Sequence, residues 1–117
     1  MLQLRHDSHE QIRLRIPATA PHLGNSHGNI HGGAILTLID MGIFAAARSL
    51  LEERAEGAVT LDLHNQFVGT GRLGEPLDVV SEVVRETGRL IFLRGSVEQG
   101  EHLVSSFLAT LRKSPRP

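Results

Sequence analysis

The chain has 117 residues, 40% hydrophobic and 21% charged, which is the size and composition of one folded domain and not of a disordered segment. It has no cysteine, so disulfides, thiolate metal sites and a cysteine nucleophile are excluded. Twelve basic residues against thirteen acidic ones, no Trp or Tyr and four Phe leave neither a basic stripe nor a stacking platform for nucleic acid.

Met1 to Glu10 carries His, Asp, Arg and Glu and has no apolar run. It does not read as a signal peptide, and a cytoplasmic protein is expected. Gln11 to Ile16 alternates, with Ile12, Leu14 and Ile16 on one face and Arg13 and Arg15 on the other, which predicts a half-buried strand. Pro17 to Asn29 is rich in Pro, Gly, Asn, Ser and His and reads as a loop. Gly32 to about Glu53 reads as one long helix, apolar on nearly every side and therefore buried. Its most apolar part, Ala34 to Ala47, is interrupted by Thr37 and Asp40 and is expected to fall short of the roughly 20 apolar residues of a membrane span. The helix stops before Gly57.

Everything beyond Gly57 reads as extended. Ala58 to Val68 is one strand, and a glycine-rich turn over Gly69 to Gly74 follows it. Pro76 to Glu86, Leu90 to Gln99 and His102 to Arg112 are three more, joined by tight turns that predict an antiparallel meander. The tail from Lys113 is polar, and no internal repeat is present. The order strand, buried helix, four strands predicts an α+β fold, with five antiparallel strands wrapped round one long central helix. So small a sheet keeps open edges, which favour an edge-to-edge homodimer.

The informative stretch runs from Asn25 through His31-Gly32-Gly33 to Asp40. Two glycines open a helix whose first N–H groups have no intrahelical acceptor and sit at the positive end of its dipole. They can hold an anion or a developing oxyanion, or simply allow a tight loop-to-helix turn. Asp40 stands in the middle of an apolar helix, where an unpartnered carboxylate costs several kcal/mol. That suits a general base or nucleophile, or else a carboxylate satisfied by backbone donors of a neighbouring strand or subunit. His22, His27 and His31 fall within ten residues. They lack a carboxylate or cysteine at ligand spacing and read as loop histidines, so no metal is expected.

His31-Gly32-Gly33, six residues and then Asp40, with Asn25 six residues upstream, resembles the active-site motif of hot-dog fold acyl-CoA thioesterases, in particular the phenylacetate-degradation type. Val59 to Leu63, Phe67, Leu73-Gly74-Glu75 and Thr87-Gly88-Arg89 fall where that family has similar segments. The resemblance implies a hot-dog fold and hydrolysis of an acyl-CoA to free acid and CoA, with no cofactor. It implies that Asp40 is the catalytic carboxylate, as general base or nucleophile, and that the Gly32 N–H polarises the thioester carbonyl. It implies that Asn25 helps hold the carbonyl or water, and that Thr60 positions water. His31 and Gly33 are assigned with them to substrate binding.

Gly32 and Asp40 are eight residues apart, about 12 Å along a helix. If both act on one thioester, Gly32 of one subunit meets Asp40 of another. The expected active unit is a homodimer, or a homotetramer of two dimers. Met41, Phe44 and Phe67 are expected to line an acyl pocket suited to aryl or medium chains. Arg89, after the Thr87-Gly88 turn, is expected at the CoA phosphates, with Arg72 and Lys113 read as surface charges. The competing readings are a non-catalytic acyl-CoA binding or sensing module on the same fold, a hydratase, whose His–carboxylate motif is not found, and a histidine-loop metal protein.

Overall fold

Alternation decides the strands. Ile12 and Leu14 are buried, while Arg13 and Arg15 lie on the opposite side. The computed structural model describes residues 2–17, 24 and 27–115. Its elements run β1 (Gln3–His6), β2 (Gln11–Ile16), α1 (Gly32–Leu51), β3 (Val59–Phe67), β4 (Leu77–Glu86), β5 (Leu90–Gln99) and β6 (His102–Arg112). The strands form one antiparallel sheet in the order β1-β2-β4-β5-β6-β3, and β4, β5 and β6 make the expected meander.

The sheet has six strands, where five were expected. The addition is β1, which pairs with β2 from Gln3 opposite Arg15 to His6 opposite Ile12. All four of its residues are exposed, so it carries no burial alternation. Its turn is held by Asp7, which accepts from Arg5 Nε at 2.7 Å and Arg13 Nε at 2.8 Å.

One face of α1 buries Ile35, Leu38, Ile39, Gly42, Ile43, Ala46, Ala47 and Leu51 at helical spacing, against β2 and β4. The approach is closest at Gly42, where a Cβ would lie 2.5 Å from Val79 Cγ1. The helix is not buried all round, because a single sheet layer covers only one of its sides. Leu36 and Met41 are 37% and 41% exposed on the other. The length expectation is corrected too. Gly32–Ala55 is 24 residues long and holds an 18-residue window of mean hydropathy 1.7, which is long and apolar enough to cross a membrane. Here that length is used as a core helix, laid against the sheet. The α-helix ends at Leu51, where Glu52 takes a positive φ of 55° and its N–H bonds Arg48 O; a short 3₁₀ turn, Glu52–Ala55, follows.

On the outer face, Asp78 of β4 is 2% exposed and held by two strand-β2 arginines. Arg13 Nη1 donates at 2.6 Å, and Arg15 Nε and Nη2 donate at 2.7 and 2.9 Å. Burial alone would raise this carboxyl's pKa, but Arg15 and Arg13 outweigh it and hold the group below the ordinary value.

β3 closes the sheet at its other end, paired only with β6. A register shift between Thr60 and Asp62 bulges Leu61, so Thr60 opposite Leu111, and then Leu63 and Asn65, share the face toward α1. Val59, Leu61, Phe67 and the adjacent Val68 are 47–58% exposed along this edge.

Candidate active site

Asp40 lies in the third turn of α1, on the side turned to β3. Thr60 Oγ1 donates to its Oδ1 at 2.8 Å. The carboxylate is half-buried and not sealed in the core. The donor that satisfies it is a side-chain hydroxyl from the neighbouring strand, not a backbone group. Among the described residues its second oxygen, Oδ2, accepts no hydrogen bond. One carboxylate oxygen is thus held, and the other keeps its full capacity to accept a hydrogen bond or a proton.

The start of the same helix supplies donors. His31 is the N-cap, with φ -59° and ψ 139° and no side-chain capping bond, and its C=O accepts from Ile35 N–H at 3.1 Å. Gly32 and Gly33 are exposed, and their N–H groups precede the first intrahelical bond. The Phe67 ring covers Gly32: a Cβ there would lie 3.2 Å from Phe67 Cζ. Nothing lies within 4 Å of a Cβ built on Gly33.

One chain therefore brings together Asp40 with Thr60, and Gly32 with Phe67. It does not bring the two pairs together, since two helical turns separate Gly32 from Asp40. His31 and Met41 are exposed, and Phe44 is half-buried against the core. Asn25 and His22 lie outside the described residues.

Arg89 is exposed and lines a cavity of about 810 Å³ with Arg54, Arg112 and Lys113. Two of these four cations are engaged. Arg54 Nε meets Glu86 Oε2 at 2.8 Å, and Lys113 Nζ meets the same oxygen at 2.5 Å and Thr87 O at 2.7 Å. Arg54 first, then Lys113, hold the Glu86 carboxyl below its ordinary pKa. Among the described residues Arg89 and Arg112 make no ion pair. Arg112 pairs with Val59 and Leu90, next to the Thr60–Leu111 pair, so this basic mouth adjoins the Asp40 end of β3. Arg54 and Arg112 carry no motif: the β5–β6 register puts Arg112 opposite Leu90, beside Arg89, and the 3₁₀ turn after α1 brings Arg54 to Glu86. Arg72 is engaged through its backbone, by Gln99.

The family model of the thioesterase superfamily matches residues 27–106, from the loop before α1 well into β6. The chain belongs to the thioesterase superfamily. Within that superfamily it is 31% identical over 102 residues to a Pseudomonas aeruginosa protein, PA0474, provisionally named an esterase; the match covers 87% of this chain and 75% of that one. A hypothetical thioesterase from Streptococcus pneumoniae, solved with coenzyme A, superposes with a TM-score of 0.83 at 19% identity, over 99% of this chain and 90% of that one. PaaI of E. coli, from the phenylacetic acid degradation operon, gives 0.81 at 18% identity, over 97% and 80%. The chain thus has the hot-dog fold expected from its motif, with β1 as an added edge strand.

Proposed function

We propose that the chain is an acyl-CoA thioesterase, hydrolysing an aryl- or medium-chain acyl-CoA to the free acid and CoA. The observation that carries this reading is the Thr60–Asp40 bond at 2.8 Å, which puts an oriented carboxylate on an otherwise apolar helix. Membership of the superfamily and the coenzyme A bound to a protein of the same fold support it.

The chemistry is addition and elimination at the thioester carbon. Asp40 takes a proton from water as the water adds to that carbon, or adds to the carbon itself. The carbonyl oxygen becomes an oxyanion held by Gly32 N–H at the positive helix end. Collapse expels the CoA thiolate; on the water route the thiolate takes the proton held by Asp40 and the acid leaves, and on the nucleophile route water then hydrolyses the acyl–Asp40 anhydride, which protonates the thiolate, releases the acid and restores the carboxylate. Thr60 fixes the Asp40 rotamer and places the reacting oxygen. His31 and Gly33 border the carbonyl, while Met41, Phe44 and Phe67 border the acyl chain.

Because Gly32 and Asp40 of one chain are too far apart to share a carbon, the site is composite. A second copy pairs along the β3 edge, whose apolar side chains it covers, and each dimer holds two sites. A homotetramer is two such dimers. Arg89 and Arg112 hold the CoA phosphates at the basic mouth.

Thiol release from a panel of acyl-CoAs tests this reading. Wild type turns over aryl or medium-chain members, and Asp40→Asn loses about 10²-fold or more while still binding them. Binding of the panel without thiol release from any member would make the chain a binding module and overturn the enzyme.

A further inference from the structure

Nothing within the start of α1 fixes the direction of its first N–H groups. Gly32 and Gly33 are exposed, and glycine has the widest choice of backbone angles. The N-cap residue, His31, makes no side-chain capping bond. An N–H stabilises an oxyanion well only when it is already aimed at it, so the aim has to come from outside the helix.

It comes through the segment just before α1. Ile30 N–H donates to Gly71 O at 2.8 Å, and Leu73 N–H donates to Gly28 O at 3.1 Å. Residues 28–30 thus run antiparallel to residues 71–73, with Asn29 opposite Arg72. Ile30 is buried, and Gly71 makes room for it: a Cβ there would lie 3.2 Å from both Ile30 Cδ1 and Ile35 Cδ1. Residues 71–73 lie outside the six strands, in the glycine-rich turn after β3. A side chain at the end of β5 holds them. Gln99, 7% exposed, accepts from Arg72 N–H through Oε1 at 2.8 Å. Its Nε2 donates to Arg72 O at 2.8 Å and to Glu75 O at 3.4 Å. It meets both backbone groups of Arg72 as a neighbouring strand would, and both ends of the amide are engaged. Opposite Gln99 across the β5–β6 turn, His102 donates from Nε2 to Thr70 O at 2.8 Å.

We propose that Gln99 is a positioning residue for the oxyanion donor: the β5–β6 turn clamps residues 70–75, these hold residues 28–30, and these aim the Gly32 N–H. On the acyl-CoA thioesterase reading, on which this rests, that N–H works in the transition state, so loosening it lowers turnover and leaves substrate binding alone. A side chain that merely staples the loop changes stability and neither of these.

Gln99→Met keeps the length of the side chain and removes all three bonds. With the acyl-CoA that wild type hydrolyses best, kcat falls about ten-fold or more while KM stays within about two-fold. Backbone amide NMR relaxation reads the aim without turnover: the order parameters of Gly32 and Gly33 fall from the rigid range, about 0.85, toward about 0.6. Should Gln99→Met fail to fold, Gln99→Glu, which keeps the bond from Arg72 N–H and loses the two to carbonyls, carries the same comparison with a smaller loss of kcat. Absence of thiol release by wild type from every acyl-CoA sinks the hydrolase reading, and the relaxation measurement then decides: loosened Gly32 and Gly33 amides keep Gln99 as the residue that sets the helix start, and unchanged ones overturn it. A lower Tm with kcat as in wild type, a raised KM at unchanged kcat, or a lower kcat with Gly32 and Gly33 as rigid as before likewise overturns the proposal.

Discussion

On the proposed reading the chemistry turns on the pair Thr60 and Asp40, and substitution separates its chemistry from stability. Asn at position 40 still accepts from Thr60 Oγ1, so Asp40→Asn keeps the contact and the fold while removing the base. Thr60→Ala leaves the carboxylate charged but unheld, so kcat drops about ten-fold, with KM little changed, because positioning is worth most in the transition state. A drop in KM-controlled binding alone would place Thr60 in the substrate site instead. Asp78 gives a second residue-scale expectation. Its folded pKa lies below the ordinary value of 3.8, so its stabilisation is present above that value and is lost as pH falls through the folded pKa. Melting temperature should fall below about pH 3.8, and Asp78→Asn should flatten that fall; a slope unchanged in the variant would assign the acid loss elsewhere. Asp40 and the two glycines were legible in the sequence because a carboxylate and a glycine pair violate the apolar helix pattern. Thr60 was singled out only through family resemblance, as a residue that positions water, and its bond to Asp40 was not legible. Arg112 and Gln99 were not legible, because their meaning comes from strand register and from which loop the β5–β6 turn meets.

At the scale of elements, α1 is set against the sheet by Gly42. A methyl group there would meet both Val79 Cγ1 and Val79 Cβ, at 2.5 and 2.9 Å, and the branch point of a valine cannot swing aside. Ala is the better helix former by about 1 kcal/mol, but overpacking costs about 1–3 kcal/mol, so Gly42→Ala should be net destabilising. Urea unfolding measures it, and a variant as stable as wild type would mean that the helix can lift off β4 freely. β2, β4, β5 and β6 were legible because their periods and turns agree; β5 and β6 begin and end where the sequence placed them. β1 was not, since a fully exposed edge strand buries nothing and so leaves no hydrophobic period. The helix was legible, but its apolar circumference predicts burial on all sides, and one sheet covers only one.

That uncovered side belongs to the whole molecule. Leu36 and Met41 on α1, with Val59, Leu61 and Phe67 on β3, form an apolar margin along the open edge of the sheet. On the proposed reading, a second copy seated there would cover it and bring its own helix N-terminus to Asp40, with the CoA end at the basic mouth. Arg89→Ala should raise KM for acyl-CoA several-fold at low salt with kcat nearly unchanged, because a phosphate contact is made equally in ground and transition states. The effect should shrink as salt rises and vanish for a thioester lacking the nucleotide; an unchanged KM at low salt would remove Arg89 from the site.

The composite site is the central claim, and subunit mixing reaches it most directly. Asp40→Asn removes the carboxylate, and Gly32→Pro removes the helix-start N–H. Proline is at home in the first helical position, and the preceding His31, at φ -59° and ψ 139°, already has the backbone that a following proline requires. Each variant alone should be inactive. After random exchange, half the dimers are mixed and each mixed dimer has one intact site of two, so activity should recover to roughly a quarter of wild type. Two folded variants that exchange subunits and still show no thiol release would contradict a site shared between two chains.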